Sequence, residues 1–293
     1  MNPPTWQDRQ AISSQPRADA GTGRTTGAVF RRRTVLAAAA GLGAAGLGAI
    51  GLGIADLVSG GPSYTFTDDF DGPAGSAPDP SKWTYDLGGG GWGNGELETY
   101  TSSRENSFLD GNGNLVIRAT RTVAQGTAAY RSARLKTLGK FSQYHGTFEA
   151  RIKLDPQEGT WPAWWMMGAN IGTVGWPKCG EVDILENFGD SGDVLTSVHT
   201  LDRTGSGAST KRSSIAVDSN WHTWRLRWAP AGLTFFKDGA RYMDVGPSQA
   251  PNWPFSSGVP MFMLLNLAIG GGSGSPARTR FPVDMLVDYV HVW

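Results

Sequence analysis

Cysteine is almost missing from this chain: Cys179 is the only one in 293 residues. An intrachain disulfide is therefore excluded, and so is a cysteine-rich zinc site. Histidine is sparse too, and the four present are widely spaced, with no metal-ligand motif. Charged residues make up only 18% of the chain and sum to a net charge of zero. No Lys/Arg cluster lies beyond the N-terminal segment, so the electrostatic footprint of a nucleic-acid binder is lacking. From Ser63 to Trp293 no amphipathic helix of useful length can be traced. What the chain has instead is 12 Trp and 41 Gly. Flat apolar rings stack on the C–H faces of sugars and on bases. Without basic charge to hold a phosphate backbone, sugars are the better match.

The first 30 or so residues are polar, rich in Gly, Thr, Arg and Gln, and without periodicity. Such a composition is expected to stay disordered. Arg31-Arg32-Arg33-Thr34-Val35-Leu36 follows, and then an uncharged Ala/Gly/Leu run to Ala55. This resembles a twin-arginine export signal. Gly53-Ile54-Ala55 and Val58-Ser59-Gly60 both offer cleavage sites, and an uncleaved anchor is the other reading. Either way residues 1–62 are expected to be a leader or anchor. Residues 63–293 are then one folded domain acting outside the cytoplasm, touching a membrane only through that segment.

Within the domain the hydrophobic period is two. Leu115, Ile117 and Ala119 alternate with Val116, Arg118 and Thr120. Phe148, Ala150, Ile152 and Leu154 alternate with Glu149, Arg151 and Lys153, and Trp224, Leu226 and Trp228 with Arg225 and Arg227. This is the pattern of half-buried antiparallel strands. Asp238-Gly239 between Leu233–Lys237 and Arg241–Met243 predicts a hairpin. Phe262–Leu265 is apolar on both faces and should be covered on both sides. Many short strands with no interdomain linker predict an all-β fold, a two-sheet antiparallel sandwich or jelly roll.

The chemistry concentrates in Gly180-Glu181-Val182-Asp183-Ile184-Leu185-Glu186-Asn187. On a regular strand Glu181 and Asp183 share a face and Glu186 points the other way. A β-bulge at Ile184-Leu185 would return Glu186 to that face. Three carboxylates would then line one wall. Like charges so close raise each other's pKa, so that one carboxyl keeps a proton while another stays ionised. Glycosidic bond cleavage needs that division of labour. The competing reading is a solvated face or a guarded sheet edge. Nearby, Trp161-Pro162-Ala163-Trp164-Trp165 places Trp161, Ala163 and Trp165 on one face, expected to be a cleft, and Trp164 on the other, toward the core. A run of four glycines, Gly88–Gly91, should present Trp92. Cys179 reads as a small buried side chain and His222 as structural.

The Trp161–Trp165 stretch, Gly175-Trp176-Pro177 and Gly180–Asn187 together resemble the core signature of glycoside hydrolase family 16, in its laminarinase-like, endo-β-1,3-glucanase members. Supporting stretches fall in the family's order across residues 63–293: Asp68–Gly72, Gly91–Asn94, Tyr144–Arg151, Ser197–Thr200, Trp221–Trp224, Asn266–Gly271 and Val287–Val290. The resemblance implies a concanavalin A-like β-jelly-roll and a retaining double displacement, in which two carboxyls stand about 5 Å apart. It implies Glu181 as nucleophile, Glu186 as general acid/base and Asp183 between them; the residues alone do not say which Glu is which. It further implies Asn94, Arg134, Trp161, Trp165, Trp176 and His199 as substrate-binding residues. No cofactor is expected to be required. A structural Ca²⁺ at Asp69, Gly113 and Asp288 is an expectation of the same resemblance, beside the alternative that Asp288 is simply hydrogen-bonded.

Two residues separate Asp183 from Glu186, similar to the bulged, laminarinase-like form; mixed-linkage lichenases have one. Agar- and carrageenan-cleaving relatives share the bulge, but no additional Lys/Arg cluster is evident near the site to receive sulfate. The expected function is a secreted, monomeric hydrolase of internal β-1,3 bonds, or β-1,3-1,4 bonds, in a β-glucan polysaccharide. The alternatives are a non-catalytic glucan-binding protein, a galactan hydrolase and a transglycosylase. Retention of both Glu181 and Glu186 favours an enzyme.

Overall fold

The computed structural model describes residues 62–293. The expected signal or anchor lies outside the described residues but for Pro62. The regular elements of the described chain are almost all strands, with one short helical turn at Ile171–Val174 and two 3₁₀ turns.

Two sheets face each other. One has seven strands, in the order Ala208–Ala216, Asp193–Leu201, Glu181–Asn187, Thr160–Gly168, Met261–Ile269, Arg134–Lys136 and Thr84–Asp86. The other has ten. Its main path runs Ala240–Val245, Gly232–Lys237, Trp221–Ala229, Gly146–Lys153, Val283–Val292, Leu115–Ala124, Thr127–Ser132 and Glu98–Tyr100. Phe66–Asp68 pairs with Val283–Val292, and Ser107–Leu109 with Leu115–Ala124. This is the expected antiparallel jelly-roll sandwich, with one departure: Glu98–Tyr100 runs parallel to Thr127–Ser132.

The alternating residues meet between the sheets. Phe148, Ala150, Ile152, Trp224, Leu226 and Trp228 enter one core cluster from the ten-stranded sheet. Trp164, Met166, Val182, Ile184 and Leu185 enter it from the seven-stranded sheet. Burial of large apolar area in this slab is the main stabilising term, roughly 25 cal/mol per Å² removed from water. Met261–Ile269 is buried along its whole length, as its two-faced apolar pattern predicts. Its outer side is covered by a second, smaller cluster around Met167, Ile171, Cys179, Phe262 and Leu264. The Asp238-Gly239 turn forms with positive φ at both residues, 50° and 80°, the geometry that joins two strands tightly.

Candidate active site

The outer face of the seven-stranded sheet carries a cleft of about 450 Å³. Its centre is the strand Glu181–Asn187. Against Thr160–Gly168, Asp183 stands opposite Trp165 and Leu185 opposite Trp164, so Ile184 is an extra residue. Against Asp193–Leu201, Asp183 pairs with Ser197 and Glu186 with Leu195, leaving Ile184 and Leu185 to share Thr196. The Thr196 hydroxyl donates to the Ile184 carbonyl at 3.1 Å and so fills a backbone acceptor inside the bulge. Both bulge side chains point into the core and are fully buried. The apolar pair Ile184-Leu185 is thus swallowed by the core, and Glu186 returns to the cleft with Glu181 and Asp183.

Each glutamate is held by an indole. Trp161 donates Nε1–H to Oε1 of Glu186 at 3.1 Å. Trp176 donates Nε1–H to Oε2 of Glu181. Asp183 lies between them, 2% exposed, with His199 Nε2 at 3.1 Å from its Oδ2. Burial, and then the Glu181 charge, pushes the Asp183 carboxyl well above the carboxylate range; Arg212 opposes this. Burial, then Asp183 and Glu181, pushes Glu186 well up, against the Trp161 bond and His199. A carboxyl kept protonated near neutral pH is what a general acid requires.

The sequence-predicted residues come together here. Asn94, Arg134, Trp161, Trp165, Trp176 and His199 all line the cleft. Trp161 and Trp165 share its face while Trp164 is buried beneath, as the alternation predicts. Trp176 is 49% exposed, a flat ring open to a ligand. His199 stands opposite Glu181 in register, and its Nδ1 is 2.9 Å from the Thr210 hydroxyl. Arg134 is packed more tightly than a free hydrogen-bond donor would be. Its guanidinium lies between the Trp92 and Trp165 rings, 4.8 and 4.7 Å from their centroids, with Nε 3.1 Å from Asp86.

Gly180 precedes the strand at φ +78°, and a Cβ there would stand 2.6 Å from Cγ of Pro254. Only glycine lets the chain enter the strand at this angle and distance. Cys179 is buried, with its thiol pushed up to about 12 by burial and then by Glu181; it is no nucleophile. His222 is bound between Asp218 and Asp238, away from the cleft.

Three cleft residues escaped the sequence reading as site groups. Phe188 is two residues beyond Glu186, hence on its face, and packs on Trp161 with centroids 4.6 Å apart. Trp92 was legible as a presented aromatic, but its place over Arg134 was not. Arg212 stands opposite Ser197, which stands opposite Asp183. Two steps of register therefore put one guanidinium on the cleft, where the sequence shows no basic cluster.

Of the expected calcium donors, Asp69 and Asp288 have other side-chain partners, while Gly113 lies beside the Asp69 carbonyl, 3.8 Å from where its Cβ would stand. Asp288 binds Arg151 at 2.6 Å, and Asp69 Oδ1 meets His291 at 2.7 Å. Asp288 is half-exposed, because its strand slips register between Val287 and Tyr289. It is not the sealed carboxylate that the apolar neighbours predicted, and the adjacent guanidinium would repel a cation. Among the described residues no group of three or more His, Cys, Asp or Glu is arranged for a metal.

Comparison with known proteins agrees with this geometry. The profile of glycosyl hydrolases family 16 matches residues 96–290. The chain is 36% identical over 244 residues to a β-glucanase of Rhodothermus marinus, covering 78% of this chain and 84% of that one. It is 33% identical to a glucan endo-1,3-β-glucosidase of Cryptopygus antarcticus, covering 72% and 86%. Several other relatives are longer, and the chain spans 32% to 54% of their length. The solved laminarinase from Flavobacterium sp. UMI-01 superposes with a TM-score of 0.69 at 36% identity, over 79% of this chain and all of that one. A bulged strand with three cleft-facing carboxyls, a jelly-roll sandwich and these matches place the chain in glycoside hydrolase family 16.

Proposed function

We propose that this glycoside hydrolase cleaves internal β-1,3-glucosidic bonds of a β-glucan with retention of configuration. The observation that carries the reading is the pair Glu181 and Glu186 on one cleft face, each anchored by an indole N–H, with Asp183 between them. Glu181 attacks the anomeric carbon. As the carbon–oxygen bond to the leaving sugar breaks, Glu186 gives its proton to that oxygen, and a glycosyl ester on Glu181 remains. Glu186, now a carboxylate, takes a proton from water; the water oxygen bonds to the anomeric carbon and the ester bond breaks. Asp183 spreads charge between the two. Trp161, Trp165 and Trp176 offer ring faces to glucosyl units. Relatives named β-glucanase and laminarinase support the substrate class. The twin-arginine-type segment supports export, with the membrane reached only through that segment.

The test is product release from laminarin by the full-length chain, beside Glu181→Gln and Glu186→Gln. Barley mixed-linkage glucan and agarose serve as comparison substrates. Short β-1,3 oligosaccharides from wild type, with loss of at least about a thousandfold in kcat for either variant, support the reaction and both roles. Binding of laminarin without cleavage would replace the enzyme by a glucan-binding protein. Cleavage of agarose alone would keep the mechanism and overturn the substrate.

A further inference from the structure

A second set of polar residues lies behind the cleft wall, apart from the three carboxyls already described. Asn94 donates Nδ2–H to Oε1 of Glu96 at 3.0 Å, and the Tyr100 hydroxyl donates to Oε2 of the same carboxylate at 2.9 Å. Tyr100 accepts in turn from Nδ2 of Asn266 at 3.1 Å. The Oδ1 of Asn266 accepts the indole N–H of Trp165 at 2.8 Å. The two ends of this chain, Asn94 and Trp165, line the cleft. Its three middle members are buried.

The directions of the bonds from Trp165 through to Glu96 are forced. An indole N–H only donates, so Asn266 must turn its oxygen to Trp165 and its amide nitrogen to Tyr100. The Tyr100 oxygen must then accept, and its own hydrogen goes to Glu96. The two carboxyl oxygens of Glu96 accept from either side and close the chain. The backbone fastens the same parts together. Glu96 pairs with Gly270 as an isolated bridge, and Oε2 of Glu98 accepts the Ile269 N–H at 2.6 Å. A Cβ on Gly271 would stand 2.7 Å from the Asn94 carbonyl, so the loop and the end of the Met261–Ile269 strand are in close contact.

We propose that Glu96, Tyr100 and Asn266 are positioning residues that lock Asn94, on the glycine-rich loop, and the Trp165 ring, on the sheet, into one preformed saccharide-binding unit. The proposal deepens the β-glucan reading and rests on it. Neither end of the chain touches the catalytic glutamates through it, so the benefit falls on substrate binding and not on the chemical step. Groups fixed before the sugar arrives need no ordering when it binds. Interactions of that kind act alike on ground and transition states and appear in KM.

The test uses full-length protein and β-1,3-gluco-oligosaccharides derived from laminarin. Glu96→Gln keeps the volume but sets an amide nitrogen against Tyr100 or Asn94, reversing one forced donor. Tyr100→Phe removes the link between Glu96 and Asn266. Each is expected to raise KM about tenfold, with kcat held within about twofold. The double variant should be no worse than either single one, because one break already opens the chain. Unchanged KM in a folded variant, KM effects that multiply in the double variant, or a fall in kcat at constant KM would each overturn the proposal. If Tyr100→Phe fails to fold, Asn266→Leu replaces it. That substitution nearly keeps the side-chain volume behind the cleft wall, removes both links of the middle amide, and has the same expected non-additivity with Glu96→Gln. Wild-type protein inert on laminarin would remove the β-glucan reading and this role with it. Active wild type with kinetically silent variants would remove the positioning role alone.

Discussion

Trp161 reaches across 25 positions of sequence to donate its indole N–H to Oε1 of Glu186 at 3.1 Å. The bond favours the ionised carboxylate and so works against burial and the neighbouring charges, which favour the acid. The balance sets where the general acid loses its proton.

Trp161→Phe deletes the donor and keeps a ring. The Glu186 carboxyl should then be held still higher, because the opposing interactions remain. The basic limb of the kcat/KM profile against pH is expected to move to higher pH, since that limb follows loss of the acid's proton. An unmoved limb, or one displaced toward acid, would show that Trp161 does not tune Glu186.

The bulge makes a prediction about chain length. Deleting Ile184 should restore a regular strand with Val182 and Leu185 inward and Glu181, Asp183 and Glu186 outward. Hydrolysis should persist, lowered by about a hundredfold by misplacement of the acid. Inserting one alanine between Leu185 and Glu186 should instead turn Glu186 toward the core and reduce laminarin hydrolysis to background. Reducing-sugar release from both variants, with circular dichroism for the fold, checks the pair.

Gly180→Ala should cost stability and activity together. The φ of +78° and the Pro254 contact at 2.6 Å leave no room for a methyl group. A loss of about 2 kcal/mol is expected from strain and crowding, read as a lower denaturant midpoint. Activity should fall as well, because Glu181 is the next residue. A neutral substitution would mean that the strand entry is more pliant than this geometry requires.

The pH dependence of stability should carry the mark of Glu98. Burial, followed by Glu96 beside it, raises this carboxyl from 4.5 to about 8. No donor faces its Oε1. The folded protein therefore binds this proton more tightly than the unfolded chain. Its stabilising contribution is complete below pH 4.5 and is lost as the pH rises through about 8. Glu98→Gln is neutral at every pH. It should stay within a few degrees of wild type at pH 5 and melt about 5 °C higher at pH 9. Thermal melts across that range decide it, and parallel curves for the two proteins would contradict the assignment.

The period-two alternation of Phe148–Leu154 and Trp224–Trp228 was legible because each strand has one wet face and one dry one, and polarity records that locally. The two-faced burial of Phe262–Leu265 was legible because a run without polar residues records two dry faces. The bulge could be anticipated as well: three carboxyls fit one wall only if Ile184 and Leu185 both turn inward. The hairpin at Asp238-Gly239 and the split between Trp164 and its two tryptophan neighbours follow from nearest-neighbour chemistry.

Other features depend on which strands lie side by side, and no local pattern contains that. Arg212 enters the cleft only through the register linking it to Ser197 and Ser197 to Asp183. Asp288 looked sealed among Val287 and Tyr289, yet a register slip opens it to Arg151, a residue 137 positions away. The Asn94–Glu96–Tyr100–Asn266–Trp165 chain likewise joins a loop to strands far along the sequence. By itself the sequence determined which residues are wet, dry, acidic or aromatic, and hence the sheet sandwich and the catalytic strand. Pairing between distant strands, set by packing across the whole sandwich, decided which charges meet, and with them the electrostatics of the cleft.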